Sequence, residues 1–230
     1  MPLNPNKCAI LALRRPQPLQ SYKLCGSELC VVDSIRDLGI MVNSSLKCDE
    51  HIQRVVRSSK RVLWMIRRSF QHLTVANFPK LFSAVIRSKL EYCAPACPPC
   101  TKKNKDLLEG VQRLGTRLVV NISKLSYEER LKAMDLYSLE YRRLRGDLIT
   151  LYRTLRGELG GDLLNHFTFD HRSNRRGHSW KLISPTFDIF NRELMFSVRV
   201  VSEWNKLPER VVSAPSTQCF KNRLDEIFAS

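Results

Sequence analysis

The sequence predicts a mainly α fold with a small N-terminal β-hairpin region, in which a helical bundle precedes a helical C-terminal extension. Two patterns indicate this α+β class. Short apolar runs separated by glycine and polar residues fill positions 1–45, and apolar residues recur at helical spacing from residue 47 onward. We therefore divide the chain into a β-rich segment 1–45, a helical segment 46–122 and a helical extension 123–230, which carries a basic loop at 166–185.

The β-rich segment contains three candidate regions for strands. Residues 8–13 form a short apolar run, and residues 38–42 form another. Between them, residues 21–32 carry apolar and polar positions around Gly26, which is typical of a hairpin that turns at the glycine.

The helical segment begins with an amphipathic helix. Asp49 supplies an acid in its first turn, and an apolar stripe follows at 3.6-residue spacing. The stripe consists of Ile52, Val55, Val56, Val62, Leu63, Ile66 and Phe70. A second helix is predicted over residues 75–92, with Pro79 near its first turn, and it stops before Pro95 because proline cannot continue it. Residues 93–100 form a helix-free linker.

Five more helices are predicted beyond the linker. One of them opens at Ser126, which forms a capping-box pattern with Glu129. The others cover residues 104–120, 136–156, 192–206 and 217–228. The stretch between residues 166 and 185 is polar and basic, and we expect a long loop with short strands there.

The balance of charge favours a polyanionic partner. Lysine and arginine total 38 residues and aspartate and glutamate total 22, which gives a formal net charge of +16. On a chain that is 43% hydrophobic and able to fold, such an excess is typical of nucleic-acid binding. An anionic membrane surface is a second interpretation, and a basic surface kept for solubility is a third.

The compartment is expected to be nuclear or cytoplasmic. No apolar run approaches the roughly 20 residues that a membrane helix needs, and the polar, proline-broken start resembles no secretory signal, so no membrane partner is expected. In such a compartment the eight cysteines are expected mostly as reduced thiols rather than as a disulfide framework.

The window from His51 to His72 contains no aspartate or glutamate, although it is rich in cations. Its basic residues are Arg54, Arg57, Lys60, Arg61, Arg67 and Arg68. One helical face, nearly opposite the apolar stripe, carries Arg57, Arg61, Trp64 and Arg68. Such a face can neutralise phosphates, and its aromatic ring can stack on a base or sugar. The alternative is a solvated face whose charges meet nothing.

Two further basic clusters are candidates for nucleic-acid binding. The second cluster consists of Arg142, Arg143 and Arg145, followed by Arg153 and Arg156. Ion pairs with the nearby Glu140 and Asp147 would account for part of it. The third cluster consists of Arg172, Arg175, Arg176, His178 and Lys181. It lies in the predicted loop and would either clamp a nucleic-acid backbone or be disordered.

No catalytic or metal-binding site is predicted. Cys93, Cys97 and Cys100 have a spacing that could grip zinc, but such a site takes four ligands and no matching pair follows; buried thiols are the alternative. The sequence contains no P-loop, GxGxxG or HExxH motif. Its acidic pairs are not flanked by strand patterns that would aim them into a cleft for two-metal chemistry. We therefore expect no cofactor in this chain.

Taken in order, a set of short motifs resembles the C-terminal part of reverse transcriptases from LINE-type, jockey-like non-LTR retrotransposons. In the first half these motifs are Asn4-Pro5-Asn6-Lys7-Cys8, Tyr22-Lys23-Leu24, Asp37-Leu38-Gly39-Ile40, His51-Ile52 and Leu90-Glu91-Tyr92. In the second half they are Val111-Gln112-Arg113, Tyr127-Glu128-Glu129-Arg130-Leu131, Ser138-Leu139-Glu140, Arg176-Gly177-His178, Phe196-Ser197-Val198-Arg199, Trp204-Asn205-Lys206-Leu207-Pro208 and Phe220-Lys221. The tryptophan-containing motif near the C-terminus is the most distinctive.

This resemblance implies an RNA-directed DNA polymerase in which residues 1–45 close the palm, residues 46–122 form the thumb and the rest is a C-terminal extension. Lys7 would match the palm lysine that lies near the phosphates of the incoming nucleotide. The aromatic-Ala-Asp-Asp strand of the palm is absent, since the sequence has no Asp-Asp dipeptide, so the chain alone is expected to be inactive. Mg²⁺ is expected only in a full-length polymerase. The implied partners are RNA or an RNA/DNA duplex, and upstream palm and endonuclease domains if the full element is expressed.

Three alternatives remain open. Upstream coding sequence would restore the palm in an active enzyme. A helical protein-interaction module would use its basic faces to meet an acidic partner. A non-functional retrotransposon remnant would leave an exposed sheet edge.

Overall fold

The computed structural model describes residues 3–13, 21–99, 101–170, 177–184 and 195–229. Helices dominate these residues and the strands are short, which confirms the predicted mainly α fold with a small β region. The chain forms two compact units, one of Met1–Cys93 with Pro99–Leu136 and one of Ala94–Pro98 with Tyr137–Ser230. The predicted boundary between residues 122 and 123 falls inside the first unit, which also contains the β-rich segment.

The β-rich segment forms paired short strands. Their bounds are β1 Ala9–Leu11, β2 Lys23–Leu24, β3 Ser27–Glu28, β4 Cys30–Val32, β5 Ser34–Asp37 and β6 Ile40–Asn43. Strand β1 pairs with β4 in parallel, whereas β2 with β3 and β5 with β6 are antiparallel. The predicted hairpin at Gly26 is confirmed, because Cys25 and Gly26 make the β2–β3 turn with φ values of 49° and 81°.

The predicted strand at residues 38–42 begins later than expected. Leu38 and Gly39 have φ values of 44° and 91°, so they form the turn that joins β5 to β6 instead of extending a strand. Glycine accepts this left-handed conformation without steric cost. Its position after an aspartate and a leucine is a turn signal that the apolar pattern of the segment obscured.

The helices of the first unit follow the predicted order. They are α1 Asp49–Ser69, α2 Phe78–Phe82, a π-helical turn Ser83–Arg87, α3 Ser88–Leu90, α4 Lys102–Thr116 and α5 Tyr127–Ala133. Helix α2 starts at Phe78 rather than at residue 75, because the side chains of Thr74 and Asn77 accept hydrogen bonds from each other's backbone N–H groups and hold a turn. The capping box of Ser126 and Glu129 is present at α5 as predicted.

Close packing between α1 and α4 organises the core of the first unit. Gly115 of α4 faces Leu63 of α1, and a Cβ built on Gly115 would lie 3.2 Å from Leu63 Cδ2 and 3.1 Å from Phe78 Cζ. Leu63, Phe78 and Phe82 are at most 1% exposed. At the other end of the helix pair, the Asn104 amide donates a hydrogen bond to the Asp49 carboxylate. The absence of a side chain at residue 115 therefore sets how closely the two helices approach.

The second unit has its own core. Its elements are α6 Leu139–Leu155, α7 Gly161–Leu164, β7 Thr168–Phe169, β8 Leu182–Ile183, α8 Phe196–Trp204, α9 Glu209–Val212 and α10 Thr217–Ala229. The Trp204 side chain is fully buried, and the Tyr152 and Phe220 rings stack with centroids 4.4 Å apart. The Tyr152 hydroxyl donates to the Ala214 carbonyl at 2.7 Å, which ties α6 to the segment before α10. The short helices α7 and α9 were not predicted, and the start of the 192–206 prediction lies outside the described residues.

Substitution of Gly115 by alanine is expected to destabilise the protein by about 1–3 kcal/mol, because the added methyl group overpacks three fully buried side chains. Gly110→Ala is the matched control in the same helix, since a Cβ there meets nothing within 4 Å. It should stabilise by about 0.5–1 kcal/mol through helix propensity alone. Chemical denaturation of both variants measures the difference. Equal stabilisation by both substitutions would contradict the close approach of α1 and α4.

Candidate nucleic-acid interface

Helix α1 separates an apolar side from a cationic side. Ile52, Val56, Leu63 and Ile66 from the predicted stripe are at most 6% exposed, and the helix packs with this side against α4, the π-helical turn and β6. Arg57, Arg61 and Arg68 are exposed. At 100° per residue, they and Trp64 fall within about 60° of one another, nearly opposite the buried stripe. Burial of one side therefore fixes the direction in which the other side faces.

These four residues, Arg57, Arg61, Trp64 and Arg68, are called the α1 ridge below. From Arg57 to Arg68 the ridge is about 16 Å long at the rise of an α-helix. Within the residues that the structure describes, no carboxylate lies within ion-pair distance of any of its three arginines. The ridge therefore presents positive charge that the described side chains do not neutralise.

The remaining basic residues of α1 flank the ridge. Lys60 is exposed. Arg54 contacts the Met41 sulfur of β6 at 3.2 Å, so it lies where the helix meets the hairpin. The Arg67 guanidinium stacks on the Trp64 indole with its carbon 5.1 Å from the ring centroid. Arg67 thus contacts the Trp64 ring although it lies outside the ridge. The sequence pattern alone did not show this contact.

A small pocket adjoins Trp64 on the side of α4. Its lining consists of Leu63, Trp64, Arg67, Leu114 and Leu118. Prediction from the sequence missed Leu114 and Leu118 as site residues. The signal that could have revealed them is an apolar pair at four-residue spacing at the C-terminal end of the predicted helix 104–120, although α4 itself ends at Thr116 and Leu118 lies in the turn that follows.

The second basic cluster is tied to carboxylates of its own unit. Arg145 binds both oxygens of Asp225 at 2.6 and 2.7 Å, which holds the pKa of that carboxyl below its ordinary range. Asp147 on the same helix binds Arg199 of α8, which is not part of the cluster, through both oxygens at 2.9 and 3.0 Å. Arg153 pairs with Glu158 at 3.0 Å.

The two predicted nucleic-acid contacts of this cluster, Arg142 and Arg143, are half-buried. The charge of Arg142 acts on Asp225 and that of Arg143 acts on Asp147. Their positive charge is therefore partly balanced inside the unit, in contrast to the charge of the α1 ridge.

The third basic cluster is described only in part. Arg172, Arg175 and Arg176 lie outside the described residues. His178 is not a surface residue, as its ring is only 4% exposed and Nε2 lies 3.0 Å from the Trp204 carbonyl oxygen. Because that carbonyl only accepts, the neutral ring carries its proton on Nε2 and donates it. His178 thus anchors the end of the basic loop to the second core.

The buried position of His178 predicts a loss of stability in mild acid. Burial lowers the pKa of His178, against the opposing effects of the Trp204 hydrogen bond and Glu209. Below about pH 6.5 the folded chain therefore keeps the ring neutral, while the unfolded chain takes up a proton. The free energy of unfolding consequently falls as the pH drops from there, by at most about 1.4 kcal/mol per pH unit. Urea unfolding between neutral pH and mildly acidic pH measures this slope.

Two glutamine variants isolate the effect of His178. His178→Gln keeps a side-chain donor but does not titrate, so it should flatten the slope. His166→Gln changes an exposed histidine and should leave the slope as in the wild type. Identical slopes in all three proteins would contradict a buried neutral His178.

Most of the described cysteines are free thiols, and Cys97 of the considered zinc triplet is disulfide-bonded. Cys8, Cys25, Cys30, Cys93 and Cys219 are free thiols. Among the described residues, no three histidine, cysteine, aspartate or glutamate side chains are grouped so that they could hold a metal ion, and Cys100 of the considered zinc triplet lies outside them. The described side chains therefore do not fit a resident Mg²⁺, which the resemblance implies only for a full-length polymerase. Lys7 is exposed at the end of a short 3₁₀ helix, Pro5–Lys7.

A partly buried polar cluster joins α4 to α5. The Tyr127 hydroxyl contacts the Glu109 carboxylate and accepts from the Gln112 amide at 3.1 Å, and burial together with Glu109 raises the pKa of Tyr127. The guanidiniums of Arg113 and Arg130 stack on the Tyr127 ring at 4.8 and 5.7 Å. This cluster accounts structurally for two motifs of the resemblance, around residues 111–113 and 127–131.

Comparison with known proteins gives little guidance. No family model matches the chain. Over 134 residues the chain is 27% identical to an uncharacterized protein of Caenorhabditis elegans. The aligned residues make up 57% of this chain and 68% of that protein. No solved structure matches. Of the helices in the described ranges, none is both long and apolar enough to cross a membrane.

Proposed function

We propose that this chain is a nucleic-acid-binding, thumb-like part of a LINE-type retrotransposon reverse transcriptase, and that it binds the backbone of RNA or of an RNA/DNA template–primer through the α1 ridge. Catalysis is not assigned to the chain, because its sequence has no Asp-Asp dipeptide and its described carboxylates do not gather into a metal site. The ordered motifs in the sequence support the family, and the ridge supports the binding.

The observation that carries the proposal is the unneutralised charge of the ridge. Arg57, Arg61 and Arg68 face solvent without a carboxylate partner among the described residues, while the arginines of α6 are engaged with Asp225 and Glu158. Like charges held along one helix repel one another unless an anion screens them. A polyanion therefore binds the ridge at no cost in broken ion pairs.

The dimensions of the ridge suit a phosphate backbone. One strand of a duplex carries a phosphate about every 3.4 Å along the helix axis, so a ridge about 16 Å long runs past about five phosphates. Three arginines spread over this length can each reach a different phosphate. Binding releases the counterions of those phosphates, which makes the affinity dependent on salt.

Replacement of Arg57, Arg61 and Arg68 together by glutamine tests the proposal. The variant should bind a labelled RNA/DNA template–primer more weakly at low salt, and the slope of log affinity against log salt should fall by about 2–3, since three phosphate contacts are lost. Fluorescence anisotropy across a salt series measures both quantities. Because all three side chains are exposed, the melting temperature should stay close to that of the wild type.

Lys103, Lys124 and Lys132 provide a control with the same change of charge. All three are exposed in the first unit, and none of them belongs to α1. The variant with all three replaced by glutamine should retain most of the wild-type affinity for the template–primer and most of the wild-type salt slope. An equal loss in both triple variants would show that only net charge matters, and a ridge variant that binds as the wild type does would contradict the proposal in favour of an acidic protein partner.

A further inference from the structure

We infer that the α1 ridge and the pocket beside Trp64 take a single strand of nucleic acid, with one unpaired base stacked on the Trp64 indole. This inference rests on the proposed function and deepens it, because it names the form of nucleic acid that the surface selects. Either RNA or DNA has the required chemistry, namely a flat apolar base attached to an anionic backbone.

The exposure of Trp64 is the first observation. Its side chain is 53% exposed in the middle of a cationic face, while Trp204 is fully buried. A large ring in water costs hydrophobic free energy that stacking under a base would recover. Single-stranded nucleic-acid sites combine these two elements, a cationic track and an aromatic platform.

The pocket beside the ring is the second observation. Leu114 of α4 and Leu118 just beyond its end are half-buried and extend the apolar surface beside the indole, while Leu63 is buried and Arg67 is the charged residue of the lining. A base that lies on the indole would cover Leu114 and Leu118 with its edge. The Arg67 guanidinium, already stacked on the ring at 5.1 Å, is in place to meet the phosphate of the same nucleotide.

The shape of the charged surface is the third observation. The three ridge arginines lie in one row on one helix, within about 60° of arc together with Trp64, so they follow a single backbone. In a duplex the bases are stacked on one another, and none can reach Trp64 without being extruded at a cost of a few kcal/mol. A single strand offers its bases without that cost. The ridge therefore favours a single strand over the interior of a duplex.

Comparison of an oligothymidylate strand with an abasic strand of the same length tests the inference. The two carry the same phosphates, so the charged contacts are equal and only the base differs. The wild-type chain should bind oligothymidylate about 5- to 140-fold more tightly, which corresponds to one stacked base. Oligouridylate should show the same preference, and a blunt duplex of equal charge should bind no better than the abasic strand.

Variants at Trp64 make the test specific. Trp64→Ala should reduce the preference for oligothymidylate to near unity and leave the salt slope unchanged, because no phosphate contact is removed. Trp64→Tyr should keep most of the preference, since a ring remains. Met65→Ala is the matched control, because Met65 is 65% exposed on the neighbouring position but lies off the ridge, and it should behave as the wild type.

Failure of the inference and failure of the proposed function give different results. Equal, salt-dependent binding of the abasic and base-bearing strands would overturn the inference while leaving ridge binding intact. A preference for bases that survives in Trp64→Ala would also overturn it. Absence of salt-dependent binding to any of the strands would overturn both proposals.

Discussion

The packing of α4 against the apolar stripe of α1 is the constraint on which the candidate site depends. Gly115 leaves room for Leu63 and Phe78, so the two helices approach closely and the stripe is buried. Since α1 is a single rigid helix of 21 residues, burial of one side orients the whole opposite side toward solvent. The same contact brings Leu114 and Leu118 beside Trp64 and forms the pocket. The packing of the first unit and the candidate site thus both depend on one helix–helix interface.

Electrostatics then distinguishes the basic surfaces from one another. Arginines of α6 and α8 hold the second unit together through bidentate contacts with Asp225 and Asp147. Removal of one partner from the half-buried Arg199–Asp147 pair would leave a charge without its counter-ion, which is costly in the protein interior. The α1 ridge has no such structural role among the described residues. In this chain, whose net charge is +16, some arginines therefore form ion pairs within the second unit, and the ridge arginines remain available for a ligand.

Periodicity predicted the helices and the orientation of α1, because an amphipathic pattern states directly which side is buried. Local side-chain hydrogen bonds were harder to predict. The turn that Thr74 and Asn77 hold with such bonds is the reason why α2 begins at Phe78 rather than at residue 75. Tertiary burial could not be derived from composition: His178 looked like part of a basic loop, yet it lies against Trp204. Leu114 and Leu118 became site residues only when α4 was placed against α1. Sequence alone could not show that Arg142 lies near Asp225, because that proximity depends on how α10 packs on α6. The proximity of Arg143 to Asp147 follows from their four-residue spacing on α6.

Photochemical crosslinking gives the most direct test of the claim that α1 is the nucleic-acid interface. Irradiation of the full chain with a labelled oligouridylate, followed by mass spectrometry of the peptides, locates the bases on the protein. Crosslinks are expected within residues 57–68 of α1, with Trp64 the principal site, and weaker ones near Leu118, just beyond the end of α4. Crosslinks confined to the second unit, with none on α1, would contradict the claim.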